Sequence, residues 1–421
     1  MADVLDYQCQ HFLRKAIDEL PTEQRNQLKS IRLCGQSVMK HLNRVYLIVN
    51  ERGDVRYHGH TTCKNPFACP VCSARMMEKY RSKVAAAIDV LYKEYFGFMF
   101  TLTIPHWSFM TCRETMDILR DTWKYFRMSS FKGRSHGHVF HEFKSDVTIA
   151  HHVKVMEHTW GKNGWHPHYH GIMWTPRGNE GRVLDWEKKL SEFWIKAAKR
   201  ITLKYWKKNN LHQKVLLKGE TYEQLIDRMY KLSDDCQVGL LFSKDKEGNL
   251  REVHTGDYIC GWGADNEVTG NIGRKASKNG HYTPYQLLLN IDKPEFRKLY
   301  IDFCLAVTQK PVVHRVDFSQ TGLVKMIEAY QKENGYESEV ILKKAPEKSA
   351  TNWKVLAFFD ATQWYELSQM DRWEPVFAEI LLVATQRREC LLEFIDSLLP
   401  GYSFAYDTLC EIFERDINHT A

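Results

Sequence analysis

The stretch GWHPHYHGIMW sets His166, His168 and His170 at strict two-residue intervals. Side chains alternate faces along an extended strand, so the three imidazoles share one face while Pro167, Tyr169 and Gly171 turn to the other. Ile172, Met173 and Trp174 continue the strand as apolar residues. Neutral imidazole is the commonest metal ligand, and two on one strand face are able to chelate a single divalent ion. Pro167 lacks a ladder donor, which places the triplet at the opening of the strand or near an edge. The competing reading is a surface strand that happens to be histidine-rich, in a chain with 19 histidines. Trp165 and Tyr169 beside the triplet favour a site.

A second ligand set lies in YHGHTTCKNPFACPVC. Cys69 and Cys72 form a C-x2-C knuckle, a spacing that lets two thiolates reach one tetrahedral zinc. Cys63 is a natural third ligand, and Cys34, His58 or His60 offers the fourth. The expected structural Zn²⁺ set is Cys34, Cys63, Cys69 and Cys72. A thioredoxin-like C-x-x-C would need a βαβ context that the flanking sequence does not show.

Periodicity supplies the elements that must position these groups. Residues 1–32 read as one or two polar helices broken at Leu20-Pro21-Thr22, followed by a strand over Arg44–Asn50. A helix is expected from Ser73 to about Tyr92. In FGFMFTLTIPH, Phe98, Phe100, Leu102 and Ile104 alternate with Met99, Thr101 and Thr103, as in a central or half-buried strand. A helix over Arg113–Phe126 follows. VKVMEHTW then joins the histidine strand through the turn GKNGW as a hairpin, which carries Glu157 towards the imidazoles. A carboxylate with two imidazoles suits Mn²⁺ or Mg²⁺.

Beyond the hairpin, a helix over Trp186–Ile201 runs into a basic stretch that includes Lys196, Lys199, Arg200, Lys204, Lys207, Lys208, Lys214 and Lys218. Tyr205 and Trp206 interleave it, so a surface that tracks phosphates stands beside the reading of a solvated face. The loop NIGRKASKNGHYTP, with Arg274, Lys275 and Lys278, also suits phosphate contacts. A charged connector over 342–352 leads into a helical tail whose chemistry is not legible.

The net charge of +7 and the abundant aromatic residues lean towards a polyanionic partner with unpaired bases. No apolar run reaches the roughly 20 residues of a membrane span. The start MADVLDYQCQHFLRKAIDELP lacks a secretory apolar core, so a reducing cytoplasm is expected. In that compartment cysteines serve as metal ligands or core rather than disulfides. The expected organisation is a helical, zinc-binding region over 1–92, a catalytic domain over 93–335 and a helical region over 336–421.

FMFTLTIPH, then E-x-T-x5-WHPHYH, then DYICGWG before ADNEVTGN, together resemble the rolling-circle replication initiators of plasmids. More narrowly, the chain is similar to the branch of the HUH endonuclease superfamily with an N-terminal cysteine cluster. CPVC leading into an arginine-bearing helix and the later TPYQLL extend the likeness over roughly residues 30 to 330. The resemblance implies an α+β, ferredoxin-like catalytic domain with a central antiparallel sheet flanked by helices. It implies that His168 and His170 hold the divalent metal and that Glu157 matches the upstream acidic position. His166 ranks below this pair. Tyr258 would attack single-stranded or hairpin origin DNA, leaving a 5′-phosphotyrosine and a 3′-hydroxyl primer.

Gly261 stands where that family carries a lysine three residues after the tyrosine, and Arg274, Lys275 or Lys278 is the expected substitute. His254 occupies a position where some relatives keep a carboxylate, leaving Glu252 and Glu267 as weak candidates for a terminating base. No G-x-x-x-x-G-K-[ST] loop is present, so unwinding is expected from a host helicase and replication machinery. The alternatives are an HUH transposase or relaxase, and a non-catalytic, zinc-dependent DNA-binding regulator.

Overall fold

The computed structural model describes residues 2–50, 53–127, 130–131, 134–135, 138–232, 239–255, 281–309, 316–318, 321–334, 354–370 and 375–402. In chain order the helices are α1 (Ala2–Asp18), α2 (Thr22–Gln27), α3 (Lys29–Arg32), α4 (Pro70–Leu91), α5 (Cys112–Arg127), α6 (His138–Val147), α7 (Glu180–Asn209) and α8 (Tyr222–Leu232). They continue as α9 (Pro284–Leu289), α10 (Pro294–Thr308), α11 (Thr321–Glu333), α12 (Ala361–Gln369), α13 (Val376–Gln386) and α14 (Leu391–Leu398). The strands are β1 (Arg44–Val49), β2 (Val55–His58), β3 (Tyr95–Thr103), the short pair β4 (Ser130–Phe131) and β5 (Arg134–Ser135), β6 (His151–Gly161), β7 (Gly164–Pro176), β8 (Gly239–Phe242), β9 (Val316–Phe318) and β10 (Lys354–Asp360). The architecture is mixed α+β, with antiparallel sheets flanked by helices.

The chain forms two compact units. One gathers residues 1–76, 288–305 and 337–421; the other gathers 77–287 and 306–336. This grouping differs from three consecutive regions at 1–92, 93–335 and 336–421. The physical reason is strand pairing: β10 lies antiparallel to β1, from Arg44↔Asp360 to Val49↔Lys354, so C-terminal residues complete an N-terminal sheet in the order β10-β1-β2. Period-2 patterns identify strands but not distant partners.

The second unit is built on a five-stranded sheet of order β8-β3-β7-β6-β9. On one face Met99, Val153, Val155, Ile172 and Trp174 pack against Val84, Ala87, Ile88 and Leu91 of α4 and Leu323 and Ile327 of α11. On the other face Phe100 stacks on Trp123, with ring centres 6.3 Å apart, and Phe126 meets Trp194 edge-on. Each fully buried side chain of this kind contributes roughly 1.5–3 kcal/mol by leaving water. Gly171 lies within this packing, where an added Cβ would come 2.4 Å from both the Phe100 ring and the Val153 carbonyl oxygen.

The histidine strand is central in the sheet, not an edge. Pro167 is accommodated because the β3 ladder ends at Thr103↔His168, one residue short of it, while β6 supplies His158 as its partner on the other side. The missing donor therefore falls where one neighbour has already stopped. The hairpin itself is as expected: Gly161 pairs with Gly164 across Lys162-Asn163, and Gly164 takes a φ of 85°. Glycine enters that region without a Cβ penalty.

Candidate metal centres

In the second unit, register decides which side chains meet. Glu157 lies directly opposite His168 across β6 and β7, and Thr101 lies opposite His170 across β3 and β7. Directly opposite residues share a face, so these four point the same way. His168 Nε2 and His170 Nε2 stand 2.7 and 3.1 Å from the same Glu157 oxygen, Oε2. The Thr101 hydroxyl lies 2.9 Å from His170 Nδ1, a contact that leaves His170 Nε2 turned to the carboxylate. Ligating histidines characteristically anchor the second ring nitrogen in this way. Trp194 Nε1 donates to the Thr103 carbonyl at 2.6 Å and fixes the end of β3 beside His168.

Glu157, His168 and His170 together could hold a metal ion, one ligand atom from each lying within 4.8 Å of the others. Burial alone pushes the Glu157 carboxyl up, but the charges and hydrogen bonds of His170 and His168 outweigh it and the net shift is down. Burial lowers His168, helped by His170 and opposed by Glu157. Metal ligation requires an ionised carboxylate and neutral imidazoles, and the shifts of Glu157 and His168 both run in that direction.

His166 stands apart from this trio. Its Nδ1 lies 3.3 Å from Nδ1 of His106, a buried residue just beyond β3, with the rings 4.5 Å apart and nearly perpendicular. Burial, then His168 and His106, lower His166 to about 2, and burial lowers His106 to about 4. Thr101 and His106 lie in FMFTLTIPH, whose alternation is legible but whose register against the histidine strand is not.

The first unit holds the cysteines. Cys34, Cys63, Cys69 and Cys72 could together hold a metal ion. Sγ separations of 3.5 Å (Cys34–Cys72 and Cys34–Cys69) and 3.6 Å (Cys63–Cys72) lie near the about 3.8 Å edge of a tetrahedron with 2.3 Å metal–sulfur bonds. His58 and His60 are not in the set. Backbone amides of Cys63, Asn65 and Cys72 point at the sulfurs of Cys34, Cys63 and Cys69, at 3.4 to 3.5 Å. Lys64, at φ 53°, makes the turn between Cys63 and Asn65. Hydrogen bonding from Cys34 raises Cys63 and lowers Cys72, while burial raises Cys69. Four close sulfurs oppose one another's ionisation, and a thiophilic cation is what would let them ionise together.

The basic run is partly committed to structure. Lys207 pairs with Glu223, and Lys199 with Asp227 at 2.7 Å, both acids belonging to α8. Arg200 sits over the Tyr125 ring at 5.2 Å. Lys204 and Lys208 lie on the exposed side of α7. Tyr258, Gly261, Glu267, Arg274, Lys275 and Lys278 lie outside the described residues. Glu252 bridges to Phe98 and pairs with Arg177 at 2.6 Å, while the histidines pair with the other end of β3. Tyr282, a rival nucleophile by position, exchanges backbone hydrogen bonds with Trp160 at 2.6 and 2.7 Å.

Among the described residues, no helix is long and apolar enough to cross a membrane. No protein-family model, curated protein or solved structure matches the chain significantly.

Proposed function

We propose that this chain is a plasmid rolling-circle replication initiator of the HUH endonuclease class, which nicks and rejoins single-stranded origin DNA with Tyr258 as nucleophile. The observation that carries the reading is the convergence of His168, His170 and Glu157 at one point of an antiparallel sheet. Mn²⁺ or Mg²⁺ bound there would draw charge from the scissile phosphodiester and favour attack on phosphorus. His168 and His170 contribute neutral Nε2 lone pairs, Glu157 contributes charge, and Thr101 sets the His170 ring.

The Tyr258 phenol gives up its proton and forms an Oη–P bond as the 3′ oxygen leaves and is protonated. One ester replaces another, so the bond energy is kept and the strand is later rejoined by the reverse attack. Chain length is compatible with this role. Val253 donates to the Gly97 carbonyl at 2.9 Å, while Thr101 is the partner of His170. Four strand residues cover about 13 Å, and the five residues from Val253 to Tyr258 span up to about 17 Å. With Gly261 in the usual lysine position, charge stabilisation falls to the metal and to Arg274, Lys275 and Lys278. Zinc is the proposed occupant of the cysteine centre, host helicase the proposed unwinding partner and the cytoplasm the proposed compartment.

The test is a covalent adduct. Incubated with single-stranded DNA from its own origin region and Mn²⁺, the protein becomes linked to the 5′ product. Tyr258→Phe loses the adduct and keeps DNA binding. A phosphodiester mapped to Tyr282 or Tyr285 moves the nucleophile, and no adduct on any strand favours a zinc-dependent DNA-binding regulator.

A further inference from the structure

The cysteine centre has a second layer of contacts, and it comes from one face of α1. Tyr7, Gln10 and Arg14 follow each other at helical spacing, so they line one side of the helix. The Tyr7 hydroxyl lies 3.2 Å from Nε2 of buried His60. Gln10 donates to the Ile31 carbonyl at 2.7 Å, and its Oε1 lies 3.5 Å from Cys69 Sγ. Arg14 donates to the carbonyl oxygens of Arg32 at 3.2 Å and of Cys34 at 3.4 Å. With its amide oxygen turned inward, Gln36 accepts from the same guanidinium at 3.0 and 3.1 Å. Arg14 and Gln10 also border a small cavity of about 20 Å³ shared with Cys34 and Gly35, room for about one water.

None of these acceptors carries a formal charge: among the described residues the partly buried Arg14 guanidinium hydrogen-bonds to no carboxylate, and Asp18, whose charge does reach it, is itself paired with Arg32. A buried charge is costly unless an opposite charge compensates it. Four thiolates around one Zn²⁺ carry a net charge of two minus, and the three backbone amides at the sulfurs offset only part of it. The two deficits are complementary.

We propose that Arg14 is the counter-charge of a tetrathiolate zinc centre, a positioning residue that retains the metal without ligating it. The proposal rests on reading the four cysteines as a zinc site. Its mechanism is electrostatic: a fixed cation against Cys34 offsets part of the net negative charge that four thiolates leave around a dication, which favours the loaded site over the empty one. Arginine suits the position because it stays charged when buried and its planar fork meets several carbonyl oxygens at once.

Zinc stoichiometry, zinc transfer to a coloured chelator, and the sulfur-to-metal charge-transfer band of Co²⁺-substituted full-length protein test it. Wild type should carry one zinc per chain; none would refute the zinc reading itself, separately from the role of Arg14. Arg14→Met should release zinc roughly tenfold faster and move the Co²⁺ band to lower energy. Arg14→Lys should restore both most of the way, since the charge is kept while the fork is lost. Lys29→Met, at an exposed cation of α3, should leave both unchanged. If Arg14→Met does not fold, Arg14→Lys still decides: zinc loss tenfold faster than from wild type then overturns the proposal. Zinc loss from the lysine variant at the methionine rate, or an unshifted Co²⁺ band in Arg14→Met, overturns the proposal.

Discussion

Glu157 and His168 face each other across neighbouring strands, with His168 Nε2 2.7 Å from Glu157 Oε2, and His170 reaches the same oxygen from two residues further along. One carboxylate oxygen thus marks the point where two imidazoles meet. The arrangement gives the proposed metal centre a direct test. His168→Ala and His170→Ala should each abolish Mn²⁺ binding in calorimetry, while Thr101→Val should weaken it by roughly 10- to 100-fold, the usual cost of losing an outer-shell partner. Full Mn²⁺ affinity in either alanine variant would refute the centre.

The behaviour of His152 in acid follows from its position. Burial, reinforced by Arg127, holds it at about 3, below the ordinary histidine value of 6.5. The unfolded chain therefore binds the proton more readily, so stability is full above about pH 6.5 and falls as pH drops towards 3. Urea unfolding in chelator should show His152→Phe losing less stability than wild type between pH 7 and 4.5, by on the order of 2 kcal/mol. Equal losses would show that His152 titrates freely in the folded state.

Lys154 lies on the reverse face of the same sheet, 6% exposed, 3.1 Å from Asp317 and 4.4 Å from the centre of the Tyr169 ring. Breaking a buried pair costs more than replacing it, because the survivor is left uncompensated. Asp317→Asn should destabilise by about 1–3 kcal/mol, less than a fully buried pair because Asp317 is partly exposed. Lys154→Met should be nearly neutral. The opposite order in denaturant titrations would place the energy in the lysine contacts instead.

Metal removal should act on one unit more than the other. Chelation or Cys69→Ser should lower the melting temperature of the cysteine-bearing unit, since a site absent from the unfolded chain adds its binding energy to folding. Elemental analysis without zinc, or an unchanged melting profile, would count against it.

On α7 the expected DNA contacts divide by their partners. Each phosphate contact contributes about 0.7 to the slope of log affinity against log salt for single strands. Lys208→Ala should reduce that slope by about this amount, and Lys207→Ala by less, because Glu223 already neutralises Lys207. Fluorescence anisotropy over a salt series distinguishes them; identical slopes for both variants would remove α7 from the interface.

Local pattern alone determined much of this protein. Two-residue spacing put His166, His168 and His170 on one face, alternation marked β3, and the GKNGW turn brought Glu157 back beside the histidines. The C-x2-C knuckle named Cys69 and Cys72, and Cys63 followed from proximity. These features depend on neighbours a few residues apart, which sequence displays. Tertiary structure decided the rest. It brought Cys34, distant in sequence, to the other three cysteines and kept His58 and His60 out of the set, left His166 with His106 rather than with Glu157, and supplied Thr101 and Arg14. It also joined β10 to β1 across some 300 residues. Register and long-range pairing are set by whole-face packing, because a one-residue slip would turn every side chain to the wrong side of the sheet.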